Sequence, residues 1–203
     1  MRRILVFALI MLITALGIVA LVNFSTPTPG NATSKPGSSN SSATLANCPT
    51  PTPGNARMTI ASPAFGNCQM IPKIYTCDGE NINPALNFSN ISQRAKSLAL
   101  IVDDPDAPAG TWAHWIVFNI QPTTKKIEQN SVPAGSTMGT NSFGKSEYGG
   151  PCPPSGTHRY FFKLYALDTM FKADTQTTET TLMNEMHGHI LDQAQIVGLY
   201  RRA

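Results

Sequence analysis

The sequence predicts a mainly β protein, a β-sandwich with small helical additions near its C-terminus, preceded by a transmembrane helix and a polar linker. Three observations carry this. Residues 4–22 form an uncharged apolar run behind Arg2 and Arg3. Residues 24–56 are rich in Pro, Ser, Thr, Asn and Gly. Residues 57–203 contain several short segments of β-branched and aromatic residues bounded by Pro, Gly, Asn or Asp, the pattern of strands in an all-β domain.

Residues 1–23 read as a membrane segment. An apolar run of about 20 residues matches the hydrocarbon thickness of a bilayer, whereas the apolar core of a cleaved signal is about 7–15 residues. Length therefore favours an uncleaved anchor. Arg2 and Arg3 stay on the cytoplasmic side by the positive-inside rule, which sends the rest of the chain across. The expected location is a bacterial inner membrane, single-pass, with the domain in the periplasm. The competing expectation is secretion after cleavage at the small-x-small site Ala15-Leu16-Gly17.

Residues 24–56 carry almost no large apolar side chain and cannot bury enough surface to offset the entropy of ordering. The unit TPTPGNA occurs twice, at 26–32 and 50–56. Seven polar residues are too few for a stacking repeat, so this is a tether stiffened by proline.

Residues 57–203 have the length of one domain. Of 15 Lys and Arg residues, only Arg2, Arg3 and Lys35 lie outside it, which leaves 12 basic against 12 acidic residues within. A neutral domain with no basic run longer than two excludes a nucleic-acid binder, which needs a basic stripe to displace counterions. The cysteines are Cys48, Cys68, Cys77 and Cys152. An even number facing an oxidising compartment points to disulfides, and the residues alone leave all three pairings open. No C-x-x-C pair is present, so no metal site is expected from them.

The clearest strands are residues 97–102, 114–120 and 159–167. In the last, Tyr160, Phe162, Leu164 and Ala166 alternate with Phe161, Lys163, Tyr165 and Leu167, so both faces are largely apolar. Apolar residues on both faces place this strand centrally in a covered sheet. Residues 58–62, 86–88 and 196–200 are weaker strands. A helix is expected over 178–187, with a stripe of Leu182, Met183 and Met186, threonine N-caps and Gly188 as the stop. A further helical turn is expected over 189–193. Residues 121–148 form a long connection of the kind that wraps the surface or carries function.

Three clusters could carry chemistry. Asp103, Asp104 and Asp106 sit at the end of a strand on a corner stiffened by Pro105 and Pro108. Trp112 and His114 open the next strand, and strict alternation would put them on one face with Ala113 and Trp115 on the other. The loop 149–157 delivers His158 and Tyr160 to one face of the central strand, and its glycines could bring backbone N–H groups against an anion. A histidine beside a carboxylate offers donors to an anion, and the carboxylate can accept from an ammonium or hydroxyl. The set suits a phosphate-like group with a small polar substituent.

The segments DPDAP (104–108), W-x-H (112–114), GPCPPSGTHRY (150–160), YTCDGENINPAL (75–86) and MHGHILDQAQIVGLYRR (186–202) resemble, in order, the motifs of the phosphatidylethanolamine-binding protein family, in its bacterial Raf-kinase-inhibitor-like branch. The resemblance implies two antiparallel sheets packed face to face with an anion pocket at one end. It places ligand-binding residues at Asp104, Trp112, His114, Gly150, Pro151, His158 and Tyr160. It also implies a Cys77–Cys152 bridge, leaving Cys48 to pair with Cys68.

The expected function is a binding module for phosphate or phosphoethanolamine, exposed outside the cytoplasm and able to regulate a partner. It needs no cofactor. Asp104, His114 and His158 would form the pocket floor, Trp112 and Tyr160 its walls, and the Gly150 loop its closure. An inhibitor of an envelope or host protease is the alternative, and a homodimer is open. Catalysis is not expected. No G-x-S-x-G elbow exists, neither Ser146 nor Ser155 pairs with a base, and a metal hydrolase would have to recruit Asp104, His114 and His158.

Overall fold

The computed structural model describes residues 57–202 except Ala173. The predicted anchor, the linker and Cys48 lie outside these residues. No helix among the described residues is long and apolar enough to cross a membrane.

Among the described residues, nine strands and one α-helix follow in the order β1 (Thr59–Ala61), β2 (Gln69–Met70), β3 (Leu86–Ser89), β4 (Ser97–Asp104), β5 (Trp112–Ile120), β6 (Lys126–Ile127), β7 (Thr137–Met138), β8 (His158–Leu167), α1 (Glu179–Met186) and β9 (Ile190–Tyr200). They form a three-stranded sheet ordered β1-β3-β6 and a six-stranded sheet ordered β2-β9-β8-β4-β5-β7. All pairings are antiparallel except β2 with β9.

Alternation along the long strands divides the apolar residues into two cores. Leu98, Leu100, Val102, Phe162 and Leu164 meet Ile60, Leu86, Phe88 and Ile127 of the small sheet. Ala99, Ile101, Ile116, Phe118, Tyr165 and Leu167 face the other way, against Leu182 and Met186 of α1. The large sheet is thus covered on both sides, which is why β8 is apolar on both faces, and β8 lies in its interior as expected.

Two local expectations are corrected. Residues 189–193 are not a helical turn but the start of β9, which pairs with β8 from Leu167–Ile190 onward to His158–Tyr200. The described residues therefore hold one α-helix rather than several small ones. Its N-cap is Thr178, whose side chain accepts from the Thr181 N–H at 3.3 Å. Met183, expected in the buried stripe, is 37% exposed, because only Leu182 and Met186, four residues apart, face the sheet.

The first residue of α1 adds a titratable contact beneath the helix. Burial, and then the charge of Asp103 on β4, push the Glu179 carboxyl up to about 7, opposed by Lys163 on β8. Asp103 is fully buried and pairs with Lys163. Burial first, then Asp103 and Glu179, also push Tyr165 up to about 12. Lys163 is thus one cation between two acids. A carboxyl whose folded pKa is raised adds stability at low pH that fades as pH climbs from its ordinary 4.5 through about 7. Thermal unfolding is expected to show a decline of about 1 kcal/mol across that window, after allowing for solvent screening of a partly exposed group. Glu179→Gln should flatten it. An undiminished slope in that variant would assign the pH dependence elsewhere.

Candidate functional site

Topology brings the sequence-predicted clusters together. Because β4 runs antiparallel to both β5 and β8, its C-terminal end lies beside their N-terminal ends. Asp104 ends β4, Trp112 begins β5 and His158 begins β8, so residues far apart in sequence arrive at one end of the large sheet.

His158 Nδ1 lies 2.7 Å from Asp104 Oδ2, and since a carboxylate can only accept, the imidazole donates. Asp104 Oδ1 accepts the Asp106 N–H at 2.8 Å, which fixes the carboxylate. His114 Nδ1 lies 2.6 Å from the Gly149 carbonyl and must likewise donate. Each ring is thus anchored through its Nδ1. Beside His114 stands Tyr160, whose ring meets it edge-on at 5.2 Å. Its hydroxyl is buried and makes no hydrogen bond of acceptable geometry among the described residues. Burial, then the neighbouring Asp104 charge, push that hydroxyl above its ordinary value. Burial pushes the His114 imidazole below its ordinary 6.5, only partly opposed by the Gly149 carbonyl and Asp104. Asp104, His114 and His158 are only 3%, 3% and 7% exposed, a tighter arrangement than an open bowl.

The way His114 reaches Tyr160 corrects the alternation rule. In the β4–β5 ladder Val102 pairs with Trp115 but Asp103 pairs with Ala113, so His114 is the extra residue of a β-bulge. The bulge breaks the period of two. Ala113 goes to the α1 side and Trp115 to the inter-sheet side, instead of sharing a face.

The Gly/Pro loop also differs in role. Its amides are not aimed at a ligand, since Gly149 N–H donates to the His114 carbonyl at 2.9 Å and Gly150 N–H to Asn81 Oδ1 at 2.7 Å. The Pro151 carbonyl accepts from the Cys77 N–H at 3.1 Å. The Gly150 amide and the Pro151 carbonyl are thus engaged within the protein. The implied Cys77–Cys152 disulfide is formed, with Cα atoms 5.4 Å apart. The Cys48–Cys68 pairing involves Cys48, outside the described residues.

Asn81 and Phe143 escape a reading of the sequence, as does the partner of Asp106. Asn81 holds the Gly150 amide. Asp106 grips Arg159 in a fork, with Arg159 Nε–Oδ2 at 2.8 Å and Nη2–Oδ1 at 2.6 Å, which holds its carboxyl below the usual range and locks the β4 corner to β8. Phe143, 45% exposed, stands edge-on to both Trp112 and His114 at 5.4 Å. Asn141 shapes the turn that presents it, accepting the Phe143 and Lys145 N–H groups. The only signal for Phe143 was an aromatic residue inside a long polar connection.

The described residues contain no cluster of three His, Cys, Asp or Glu side chains placed to hold a metal. Ser146 donates to the Thr175 carbonyl at 3.3 Å, not to a histidine.

The family model for phosphatidylethanolamine-binding protein matches residues 61–201. The chain belongs to that family. A UPF0098 protein of Methanothermobacter thermautotrophicus is 48% identical over 150 residues, covering 71% of this chain and 99% of the relative. Among solved structures, a phosphatidylethanolamine-binding protein homologue from Chlamydia trachomatis aligns with TM-score 0.70 and 38% identity, covering 73% of this chain and 99% of its own. YbcL of E. coli, described as a member of the mammalian family, aligns at 0.69 with 28% identity, covering 72% and 99%. These matches support the family's fold over residues 61–201.

Proposed function

We propose that this phosphatidylethanolamine-binding family member is a non-catalytic binding module for a small phosphate-like anion, held outside the cytoplasm by residues 1–23. The observation that carries the reading is the buried Tyr160 hydroxyl, without a hydrogen bond of acceptable geometry among the described residues, beside the Asp104 carboxylate that His158 holds and against the His114 ring. A buried hydroxyl without a partner costs roughly 1–3 kcal/mol, which a polar guest would recover. The Asp104 carboxylate could accept from the ammonium of a phosphoethanolamine. The Cys77–Cys152 bridge and the apolar N-terminal run support an oxidising compartment beyond a membrane. Regulation of a partner, a protease among the candidates, would follow from ligand occupancy.

The electrostatics add a sign. Burial keeps His114 neutral at pH 7 in the free protein, and a bound dianion would favour its charged form. Binding is therefore expected to take up protons, and affinity to strengthen as pH falls from about 8 to 6. Calorimetric titration of phosphate and phosphoethanolamine into the full-length protein, in two buffers of different ionisation enthalpy, reads both quantities. His158→Ala and His114→Ala should each weaken binding about tenfold or more, the loss of one charge-assisted hydrogen bond. Unchanged affinity in both variants would remove the proposal.

A further inference from the structure

The end of the large sheet carries a concavity that none of the site residues above line. It is an open hollow of about 390 Å3 bounded by Lys73, Asp78, Pro154, Tyr200, Arg201 and Arg202. Three cations face it against one carboxylate. The domain as a whole is neutral, and most of its other charges are paired: Arg57 with Asp192, Lys126 with Glu128, Lys145 with Glu147, Arg159 with Asp106 and Lys163 with Asp103. In the hollow, Arg202 and the Tyr200 hydroxyl both engage Asp78, at 3.0 and 2.8 Å. That satisfies the acid and leaves Lys73 and Arg201 with no ion pair among the described residues. Two unneutralised cations in a concave wall focus a positive potential more strongly than the same charges on a convex surface.

The walls are fixed before any ligand arrives. Lys73 begins a 3-10 turn (Lys73–Tyr75) closed by Tyr75 N–H to Pro72 O at 3.0 Å. Asp78 follows Cys77 and Pro154 lies two residues beyond Cys152, so the disulfide clamps one side of the hollow to the other. Tyr200 and Arg201 are set by the end of β9, where Tyr200 pairs with His158. The backbone that carries the cations is therefore set, and only the Lys73 and Arg201 side chains have to order on binding.

We propose that this hollow is a second anion site, separate from the Asp104–His158 cluster, that takes a doubly charged oxyanion of the phosphate or phosphomonoester class on Lys73 and Arg201. It does not rest on the function proposed above. The forked guanidinium of Arg201 suits two oxygens of one phosphate, and the Lys73 ammonium supplies a point charge.

The test is an NMR titration of the full-length protein in non-ionic detergent, following the Lys73 and Arg201 side-chain nitrogens and, separately, the two imidazoles. Inorganic phosphate and glycerol phosphate are the two probes. Saturable shifts of Lys73 and Arg201, about tenfold weaker binding at the hollow (read from the Tyr200 ring) in the Lys73→Gln/Arg201→Gln variant, and an unaltered imidazole response there are the expected results. Tighter glycerol phosphate would assign an esterified source, and equal affinity a free phosphate. Shifts reproduced by sodium chloride at equal ionic strength, or an unweakened double variant, would overturn the site. Because the imidazoles are read separately, loss of one site is distinguishable from loss of the other.

Discussion

Replacing Cys77 and Cys152 together with serine is expected to lower the stability of the β domain by about 4 kcal/mol. The bridge closes a loop of 75 residues in sequence, running from the segment before β3 to the loop before β8. In the chain-entropy account that constraint acts chiefly on the unfolded chain, and its size follows from loop length. Removing it should lower the melting temperature by about 8–16 °C for a domain of this size. The bridge also joins the Asp78 segment to the Gly/Pro loop, so both proposed anion sites should loosen with it. Thermal unfolding of the wild type and the double serine variant under non-reducing conditions provides the comparison. A difference near zero would mean that the unfolded chain is not the state the bridge restrains.

Gly150→Ala is the second large effect, and its cause lies in the folded state. A Cβ there would lie 2.5 Å from the Tyr75 carbonyl oxygen, 2.5 Å from Asn81 Oδ1 and 2.9 Å from Thr76 Cα. Two of these are backbone atoms and cannot swing away. The Tyr75 carbonyl is further held by the Tyr148 hydroxyl at 2.9 Å, and Thr76 adjoins the disulfide. Relief would have to move the Gly150 amide off Asn81, breaking the 2.7 Å hydrogen bond as well. Overpacking with a lost buried hydrogen bond costs about 3 kcal/mol, or roughly 6–12 °C in melting temperature. Gly156→Ala is the control. Gly156 has φ +69 but open space around it, so only the backbone penalty of about 1 kcal/mol applies. Equal losses at the two positions would show that backbone conformation, not close approach, explains Gly150.

These two positions also mark how far the sequence could be read. The interior strands were legible because their side chains are largely buried on both faces and so are mostly apolar, as in Tyr160 to Leu167, where Lys163 is the one charged residue. The first half of β9 was not, since residues such as Asp192, Gln193 and Gln195 are held by the ladder to β8 rather than by their own burial. β6 and β7, two residues each, exist only through Leu86–Ile127 and Val117–Met138 pairings, which no local pattern announces. In the site, the Asp104, His114 and His158 convergence was legible from motifs. The bulge at His114 was not, because an extra residue in a ladder is defined by its partner strand. Gly150 was visible as an important glycine, but its reason, contact with Tyr75 and Asn81, belongs to a segment some 70 residues away.

The most direct measurement is nitrogen-15 NMR of the histidine rings during addition of phosphate. The account requires the Nε2 resonances of His114 and His158 to move together and saturate, with His114 gaining a proton, while each Nδ1–H stays bonded to Gly149 or Asp104. Rings that stay silent at millimolar phosphate, or a response confined to the exposed His187 and His189, would mean that the buried pair is structural and that no anion enters between them.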